Sequence, residues 1–430
     1  MTHRRRGIKG GGSAANAGIP FRHTWTTPST QKATIKNKQT TMHKIQQLIQ
    51  ELCPDGVEFK KIGEVVKKTS NIRWADNQGD EFKYIDLTSV DRATRSIVST
   101  QIIDSETAPS RAQQLVQEGD VIFGTTRPLL KRYTVIPKGY EGQICSTGFC
   151  VLRPDQSCIL TNYLFHLLGT DDFYQYVESN EQGASYPAIS DSAIKKFTIP
   201  IPPIPIQNEI VHILDLFTQL EAELEAELEG RKMQYTYYRD TLLNFEGKDV
   251  EWKTLGEVAT IGTGSRNTNE AVHDGEFPFF VRSQNPLKID EFEFDETAII
   301  TAGDGVGVGK VFHFVEGKYA LHQRAYRIRV TENNLIPKFL FHFIRNNFGK
   351  YLATTSVHAS VTSLRKPMFD KYPIPIPPLS EQARIVTILD KFDALVNDLS
   401  SGLPAEIQAR RQQYEYYRNQ LLTFKNRDHG

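Results

Sequence analysis

Apolar residues recur at steps of three and four along two long stretches of the chain, which is the period of an amphipathic helix. The first stretch carries them at Ile210, Ile213, Leu214, Phe217, Leu220, Leu224 and Leu228. The second carries them at Ile385, Ile388, Leu389, Phe392, Leu395 and Leu399. Each stretch follows a proline run, and proline suits an extended lead-in but not a helix interior. The pattern therefore predicts two long helices, each with an apolar stripe that must be buried.

These helices belong to an internal repeat. The lead-in Ile199-Pro200-Ile201-Pro202-Pro203 recurs at Ile374-Pro375-Ile376-Pro377-Pro378, and Tyr237-Tyr238-Arg239 recurs at Tyr416-Tyr417-Arg418. The offset of about 175 residues is far longer than the roughly 20–50 residues of a solenoid repeat. We interpret the chain as a duplication of one globular segment and one helix.

The segments before each helix contain short β-rich runs broken by glycine and proline, which predicts mixed α/β globules. Val121-Ile122-Phe123 and Ile299-Ile300-Thr301 are predicted to be equivalent buried strands. Tyr163–Leu168 and Phe339–Ile344 are predicted to be equivalent helices. The predicted fold class is therefore α+β or mixed. If a pseudo-two-fold axis relates the copies, the long helices pack antiparallel, and a short helix over 42–52 lies beside the C-terminal end of the second one.

The second long helix is predicted to stop and restart at Ser400-Ser401-Gly402-Leu403-Pro404. The first helix is predicted to run without interruption for roughly 35–40 residues, or about 55 Å at 1.5 Å per residue. The predicted domains are a disordered basic extension over 1–41, an N-terminal helix and turn over 42–58, a globular domain over 59–198, a central helix over 199–250, a second globular domain over 251–373 and a C-terminal helix over 374–430.

Composition is ordinary for a globular protein, with 39% hydrophobic and 24% charged residues and a net charge of zero. Residues 1–41 carry eight basic residues and no acidic one, so the rest of the chain has a net charge of about −8 (0 minus 8). The global charge therefore does not indicate a nucleic-acid binder. We expect Met42 to be the functional start, while a basic DNA-binding arm or a transit peptide is the alternative for the extension. No run of 18 apolar residues occurs, and no CxxC pair is present, which predicts a cytoplasmic protein without a membrane span.

Three motifs resemble catalytic or metal sites without meeting their requirements. Pro54-Asp55-Gly56-Val57-Glu58-Phe59-Lys60 has the letters of a PD…ExK nuclease, but it forms a predicted turn. Gly303–Lys310 is rich in glycine and fails the spacing of a phosphate loop. Glu209 and His212 have the ExxH spacing of a metal site, but the second copy lacks this pair. We predict no catalytic residue and no metal site in this chain.

Four features together look like the conserved regions of the specificity subunits of type I restriction–modification systems. They are the proline lead-ins, the Glu381-Gln382 opening, the Tyr-Tyr-Arg endings and the tandem tetrapeptide Glu221-Ala222-Glu223-Leu224, Glu225-Ala226-Glu227-Leu228. The tandem is similar to the helical spacer repeat of the type IC branch. The resemblance extends from Met42 to Phe424.

The resemblance implies two target-recognition domains, each of which reads one half of a bipartite site in double-stranded DNA. It implies that the helices set the gap and dock two methyltransferase subunits, and that motor–nuclease subunits complete the complex. S-adenosylmethionine, ATP and Mg are expected in those partners and no cofactor in this chain. The repeated ending implies docking residues at Tyr237, Tyr238, Arg239, Tyr416, Tyr417 and Arg418.

DNA contacts are expected from polar clusters in predicted loops, because arginine recognises guanine and asparagine or glutamine recognises adenine, while cations and hydroxyls hold phosphates. In the first globule these residues are Thr125, Thr126, Arg127, Lys131, Arg132, Ser185 and Tyr186. In the second they are Arg266, Asn267, Arg282, Ser283, Gln284, Asn285, Lys310, His322, Gln323 and Arg324.

Two alternatives stay open at this stage. A stand-alone two-headed DNA-binding or scaffold protein would share the two globules but would need no methyltransferase partner. A nuclease built on the PD…ExK letters would cleave DNA with a metal ion and would depend on Glu58.

Overall fold

The computed structural model describes residues 43–355 and 363–427, so the predicted extension over 1–41 and the expected start at Met42 lie outside the described residues. Its helices are α1 (43–52), α2 (Thr161–Leu167), α3 (Asp171–Asn180), α4 (Asp191–Lys196), α5 (Ile204–Leu242), α6 (Leu255–Val258), α7 (Pro337–Thr355), α8 (Lys366–Asp370), α9 (Leu379–Asn397) and α10 (Leu403–Leu421).

The strands before α5 are β1 (Glu58–Lys61), β2 (Val66–Lys67), β3 (Ser70–Asn71), β4 (Phe82–Ile85), β5 (Gln101–Ile103), β6 (Ala112–Leu115), β7 (Val121–Gly124), β8 (Tyr133–Val135), β9 (Ile144–Ser146), β10 (Phe149–Pro154) and β11 (Thr198–Ile201). The strands after it are β12 (Glu251–Thr254), β13 (Ala259–Thr263), β14 (Phe277–Phe280), β15 (Leu287–Ile289), β16 (Phe294–Ala302), β17 (Phe312–Leu321), β18 (Ala325–Val330) and β19 (Pro373–Ile376).

The described chain forms two compact units. Unit 1 contains the residues up to Phe217 together with those from Tyr414 onward, and unit 2 is Thr218–Gln413. Helices α5 and α10 each contribute residues to both units. The apolar stripe of each of these helices belongs to the core of whichever unit it passes through. The predicted domain boundaries stay a prediction.

Unit 1 contains a four-stranded sheet in the order β2-β10-β7-β8 and a five-stranded sheet in the order β3-β6-β9-β4-β5. Its largest core includes the start of α5 and the end of α10. Unit 2 contains one six-stranded sheet in the order β13-β18-β16-β17-β14-β15. Its largest core includes the end of α5 and most of the apolar face of α9. The predicted strands at β7 and β16 and the predicted helices at α2 and α7 are confirmed.

The two proline lead-ins form equivalent strand pairs. In unit 1, β11 pairs antiparallel with β1, and Phe59 lies opposite Pro200. In unit 2, β19 pairs antiparallel with β12, and Trp252 lies opposite Pro375. Proline is tolerated in such two-stranded ladders because one side of each strand has no ladder partner. The repeat seen in the sequence is therefore a repeat of three-dimensional contacts.

A buried glutamine at the start of each long helix ties its lead-in to the globule before it. The fully buried Gln207 accepts a hydrogen bond from the Leu160 N–H at 2.9 Å and donates to the carbonyls of Cys158 and Pro202, both at 2.8 Å. Gln382 makes the equivalent three bonds in unit 2, to Ile336, Asn334 and Pro377. Buried backbone groups need such partners, so each glutamine satisfies one carbonyl of its proline run and two backbone groups of the preceding globule.

Helix α5 is continuous over 39 residues, as predicted, and the second long helix is divided into α9 and α10, also as predicted. Asp398 caps the break, since its carboxylate accepts hydrogen bonds from Ser400 and Ser401. Gly402 is required there because a Cβ would lie 2.6 Å from the Ala394 carbonyl oxygen.

Within unit 2, α5 runs antiparallel to the α9–α10 pair. The Arg411 guanidinium binds the carboxylates of Glu221 and Glu225, while Tyr235, farther along α5, stacks on Phe392, which precedes Arg411 in the chain. Within unit 1, Ile45 of α1 shares a core with Leu422, which follows α10 directly. Both arrangements confirm predictions from the sequence.

Candidate nucleic-acid interface

The loop that follows β7 in unit 1 is held between two neighbouring segments. The Thr125 N–H donates to the Gly148 carbonyl at 2.8 Å, and the Ile189 N–H donates to the Thr125 carbonyl at 2.9 Å. Thr126 then forms an antiparallel bridge with Ala188. These bonds fix the backbone at the end of the strand, just before the first predicted DNA-contacting cation.

The loop that follows β16 in unit 2 repeats this pattern. The Gly303 N–H donates to the Arg324 carbonyl at 2.9 Å, and the Leu364 N–H donates to the Gly303 carbonyl at 2.7 Å. Asp304 then forms an antiparallel bridge with Ser363. The hydrogen bonds therefore make Thr125 equivalent to Gly303, Thr126 to Asp304 and the residues after them equivalent in turn.

Both loops have a left-handed backbone at the same two positions. In unit 2 these positions are Gly305 with φ of 77° and Gly309 with φ of 68°. In unit 1 they are Arg127 with φ of 48° and Lys131 with φ of 57°. A left-handed conformation costs a residue with a Cβ about 1–2 kcal/mol, whereas glycine adopts it readily. Unit 1 therefore places cations where the backbone favours glycine.

The two cations of unit 1 lie over aromatic rings. The Arg127 guanidinium is 4.5 Å from the ring centroid of Tyr186, and the Lys131 ammonium is 4.6 Å from that of Tyr174. Tyr186 is 70% exposed, and the neighbouring Ser185 is exposed as well. Neither Arg127 nor Lys131 has a carboxylate within ion-pair distance in the part of the chain that the structure describes. The pair is thus an uncompensated positive patch on the surface.

The other predicted contacts of this loop are less available. The Thr125 side chain is buried and donates to the Gly148 carbonyl at 2.9 Å, so its hydroxyl stabilises the loop and is not offered to DNA. Its place in the predicted contact set is not supported, because its side chain is buried. Thr126 and Arg132 are half-buried beside the patch.

An open depression of about 410 Å³ lies on unit 2. Its lining is polar throughout and consists of Asn267, Thr268, Asn269, Arg282, His322, Gln323 and Arg324. Five of these seven were predicted from the sequence. Thr268 and Asn269 were not predicted. They directly follow the predicted Asn267, and this position in the sequence is the one signal that could have identified them.

Asp304 holds two arginines at this depression. Its carboxylate accepts from Arg282 at 2.7 Å and from Arg324 at 3.3 Å. Burial alone would raise the pKa of Asp304, but the hydrogen bond and charge of Arg282 and the charge of Arg324 lower it overall. Both guanidiniums keep exposed edges, with side chains 42% and 61% exposed. The sequence shows Asp304 only as one residue of a glycine-rich turn.

The amide side chains of Gln323 and Asn267 are hydrogen-bonded to each other, and both are exposed. Arg266 is committed to Glu270 at 3.0 Å and Glu291 at 2.8 Å, so it orders the loop rather than offering a free charge. His322 is buried, and burial followed by the charges of the nearby arginines lowers its pKa. It is neutral at pH 7, and its Nδ1 accepts from the Arg324 N–H at 3.0 Å.

The remaining predicted contacts of unit 2 do not line the depression. Ser283, Gln284, Asn285 and Lys310 are all exposed. The Ser283 hydroxyl donates to the Asn285 carbonyl at 2.6 Å, which shapes the turn. These residues stay predictions.

The predicted docking residues divide into exposed and buried positions. Tyr237 is 66% exposed, and its equivalent Tyr416 is 61% exposed. Tyr238 and Tyr417 are half-buried in ring stacks, and Arg239 is half-buried beside Asp240. Arg418 is only 2% exposed, lying against the Tyr414 ring and 3.8 Å from Asp171. Its inclusion among docking residues is not supported, since the fold of unit 1 uses its side chain internally.

The residues of the PD…ExK letters form a turn and the start of β1, and the Lys60 ammonium pairs with the neighbouring Glu58 carboxylate at 3.2 Å. Among residues 43–355 and 363–427, no three His, Cys, Asp or Glu side chains are placed to hold a metal ion. None of the helices in these ranges has the length and apolarity required to cross a membrane.

Comparison with known proteins identifies the family of this chain. The family model of the type I restriction modification DNA specificity domain matches residues 54–230 and 247–409. The specificity subunit of the Escherichia coli type I restriction enzymes EcoR124I and EcoR124II is 37% identical over 263 residues, which are 55% of this chain and 65% of that protein. The chain thus covers slightly less than two thirds of this relative.

Two further proteins support the assignment. A Haemophilus influenzae protein named as a putative type I restriction enzyme specificity subunit is 31% identical over 61% of this chain and 72% of its own length. A solved chain from a type I restriction–modification system superposes with a TM-score of 0.60 at 25% identity, covering 86% of this chain and 98% of that chain. With two matched copies of the domain on one duplicated framework, this chain belongs to the family of type I restriction–modification DNA specificity proteins.

Proposed function

We propose that this chain is the DNA-sequence-specificity subunit of a type I restriction–modification complex. Each unit would bind one half of a bipartite, asymmetric site in double-stranded DNA, and the long helices would set the gap between the halves. The observation that carries the proposal is that two equivalent loops, after β7 and after β16, carry different residues on the same framework, with the cations Arg127 and Lys131 in unit 1 where unit 2 has Gly305 and Gly309. One framework with two different surfaces is what reading two different half-sites requires.

The chemistry of the two surfaces supports DNA as the ligand. Both carry arginine beside residues with amide, hydroxyl or aromatic groups, which is the set that combines phosphate attraction with base recognition. In unit 1 the side chain suited to recognise a base is Arg127. In unit 2 such side chains are Arg282, Arg324 and Gln323. Each wrong base pair in such a site typically costs about 1–3 kcal/mol of binding free energy.

We propose that the chain contributes binding and positioning rather than catalysis. Two methyltransferase subunits would bring their own S-adenosylmethionine, and motor–nuclease subunits would bring ATP and Mg. The exposed equivalent tyrosines Tyr237 and Tyr416 support docking at two related places on the long helices. Aromatic side chains of this kind are enriched at protein interfaces because they bury a large area with few rotatable bonds.

The test is adenine-methylation mapping of DNA from cells that express the chain with its neighbouring methyltransferase. The expected result is a split motif, with one methylated adenine in each half and a fixed unspecified gap. Replacing residues 59–198 by the matching segment of a relative should change one half only. A single continuous motif would contradict separate reading by the two units. Absence of methylation with an active partner present would favour the stand-alone DNA-binding protein.

A further inference from the structure

We infer that Arg127 and Lys131 are the residues through which unit 1 contacts its half-site, with Arg127 at a base edge and Lys131 at a backbone phosphate. The loop between Thr126 and Arg132 would be built to present these two cations. The inference rests on the proposed function and names the contacts of one half of the site.

The backbone supplies the first argument. At the equivalent positions of unit 2 the residues are Gly305 and Gly309, so glycine serves the shape of this loop without difficulty. In unit 1 the same left-handed positions carry exposed side chains, and burial of apolar surface therefore does not explain their presence. Unfavourable backbone conformations of this kind persist mainly where a side chain is needed for function.

Charge supplies the second argument. Elsewhere in unit 1, Arg153 forms a two-pronged pair with the buried Asp120, with both nitrogen–oxygen distances at 2.8 Å. The charge of Arg153 is thus neutralised within its own unit. Arg127 and Lys131 have no such carboxylate among the described residues. Their charges stay available to an external polyanion.

The orientation of the side chains supplies the third argument. Stacking of the Arg127 guanidinium on Tyr186, at 4.5 Å, restricts its rotation and leaves its N–H edge free to meet a guanine. The Arg127 backbone N–H also donates to the Pro187 carbonyl at 2.7 Å. The loop is therefore hydrogen-bonded to the segment that carries Tyr186. The Lys131 ammonium lies over the Tyr174 ring and acts as a compact positive charge. It suits a phosphate, because binding a phosphate does not require the two parallel N–H donors of a guanidinium.

The test uses glycine variants of the full chain, co-expressed with the methyltransferase partner. The double variant Arg127→Gly with Lys131→Gly should keep or raise the midpoint of thermal unfolding, because glycine suits both backbone positions. It should lower methylation of the recognised site at least about tenfold, equivalent to about 1.4 kcal/mol of lost binding. Arg127→Gly alone should relax one base position in one half-site.

Lys131→Gly alone should weaken binding evenly across sequences and reduce the salt slope of the affinity by about one. Lys138→Ala is the matched control, since it removes another exposed cation of unit 1 and should leave methylation unchanged.

Wild-type methylation by the double variant would overturn the inference. So would a lowered unfolding midpoint, which would make the loop's cations structural, or a loss of methyltransferase binding with DNA binding intact, which would indicate an acidic protein surface as the partner. If the wild-type chain itself directs no split methylation, the proposed function fails and the inference with it.

Discussion

Phe217 of α5 stacks on Tyr417 of α10, with ring centroids 5.4 Å apart and planes inclined by 22°. The equivalent stack in unit 2 joins Phe392 of α9 to Tyr238 of α5, at 5.6 Å and 27°. Each stack therefore takes its phenylalanine from one copy of the repeat and its tyrosine from the other. The core of each unit is completed by the other copy, so neither copy of the repeat contains a complete core by itself.

Phe217→Ala should lower the free energy of unfolding by about 3–5 kcal/mol, because it empties a fully packed core position and removes the stack. Chemical denaturation of the full chain measures this. Leu216→Ala is the control on the neighbouring position of α5, where the side chain is 41% exposed, and it should change the free energy by less than about 1 kcal/mol. Equal effects of the two variants would contradict the packing described for Phe217.

Asp304→Asn should raise the affinity of the complex for non-specific DNA and lower its ratio of specific to non-specific binding. The carboxylate orients Arg282 and Arg324 and repels phosphates, whereas the amide has no charge and only one acceptor oxygen for the two arginines. The salt dependence of binding should steepen by about one for each additional phosphate that the complex neutralises. Asp295→Asn is the matched control, because Asp295 is an exposed carboxylate of unit 2 without an arginine partner in the described residues. An unchanged specificity ratio for Asp304→Asn would show that the arginines need no orientation.

Insertion of a third Glu-Ala-Glu-Leu unit after Leu228 should lengthen the tolerated gap and leave both half-sites unchanged. Glu221 and Glu225 begin the two tetrapeptides, and Arg411 contacts both, so a longer tandem offers it an equivalent carboxylate pair in another register. Four residues add about 6 Å of helix. Arg411→Ala in the longer chain should broaden the range of accepted gaps, since the register loses its ion pairs. Methylation mapping reads both effects, and an altered half-site would contradict the spacer role.

The stability of the chain should fall as pH decreases below about 6.5. Burial lowers the pKa of His166 in spite of the hydrogen bond that the Asp215 carboxylate accepts from its Nε2 at 2.8 Å. The unfolded state therefore binds a proton at a higher pH than the folded state, and acid favours unfolding. His166→Gln should flatten the dependence of the unfolding free energy on pH below about 6.5. His273→Gln makes the same substitution at a 96% exposed side chain and is the matched control.

Much of the framework could be predicted from the sequence because it depends on local patterns. The three-and-four spacing around Phe217 and Phe392 determines the buried face of each helix. Gly402 and the serines before it determine where the second helix stops, and the proline run before Gln207 determines where the first begins. The placement of Ile45 beside Leu422 followed from the repeat itself, since related copies must make related contacts.

Much of the interface could not be predicted, because its residues act through neighbours that are distant in the chain. Arg418 lies 3.8 Å from Asp171 of a distant helix, and the role of Asp304 depends on two arginines 20 or more residues away. A glycine-rich turn looks the same in sequence whether or not its aspartate holds cations.

The sequence by itself determined the duplication, the two long helices, the position of the break and the family, because periodicity and repeated motifs are properties of the linear chain. Only the tertiary structure decided which side chains face outward and which cations are neutralised. The tertiary structure also decided the left-handed conformations of Arg127 and Lys131, which lie in the loop that the bridge between Thr126 and Ala188 holds. Such bonds join segments about 60 residues apart, and their geometry exists only once the globule has folded.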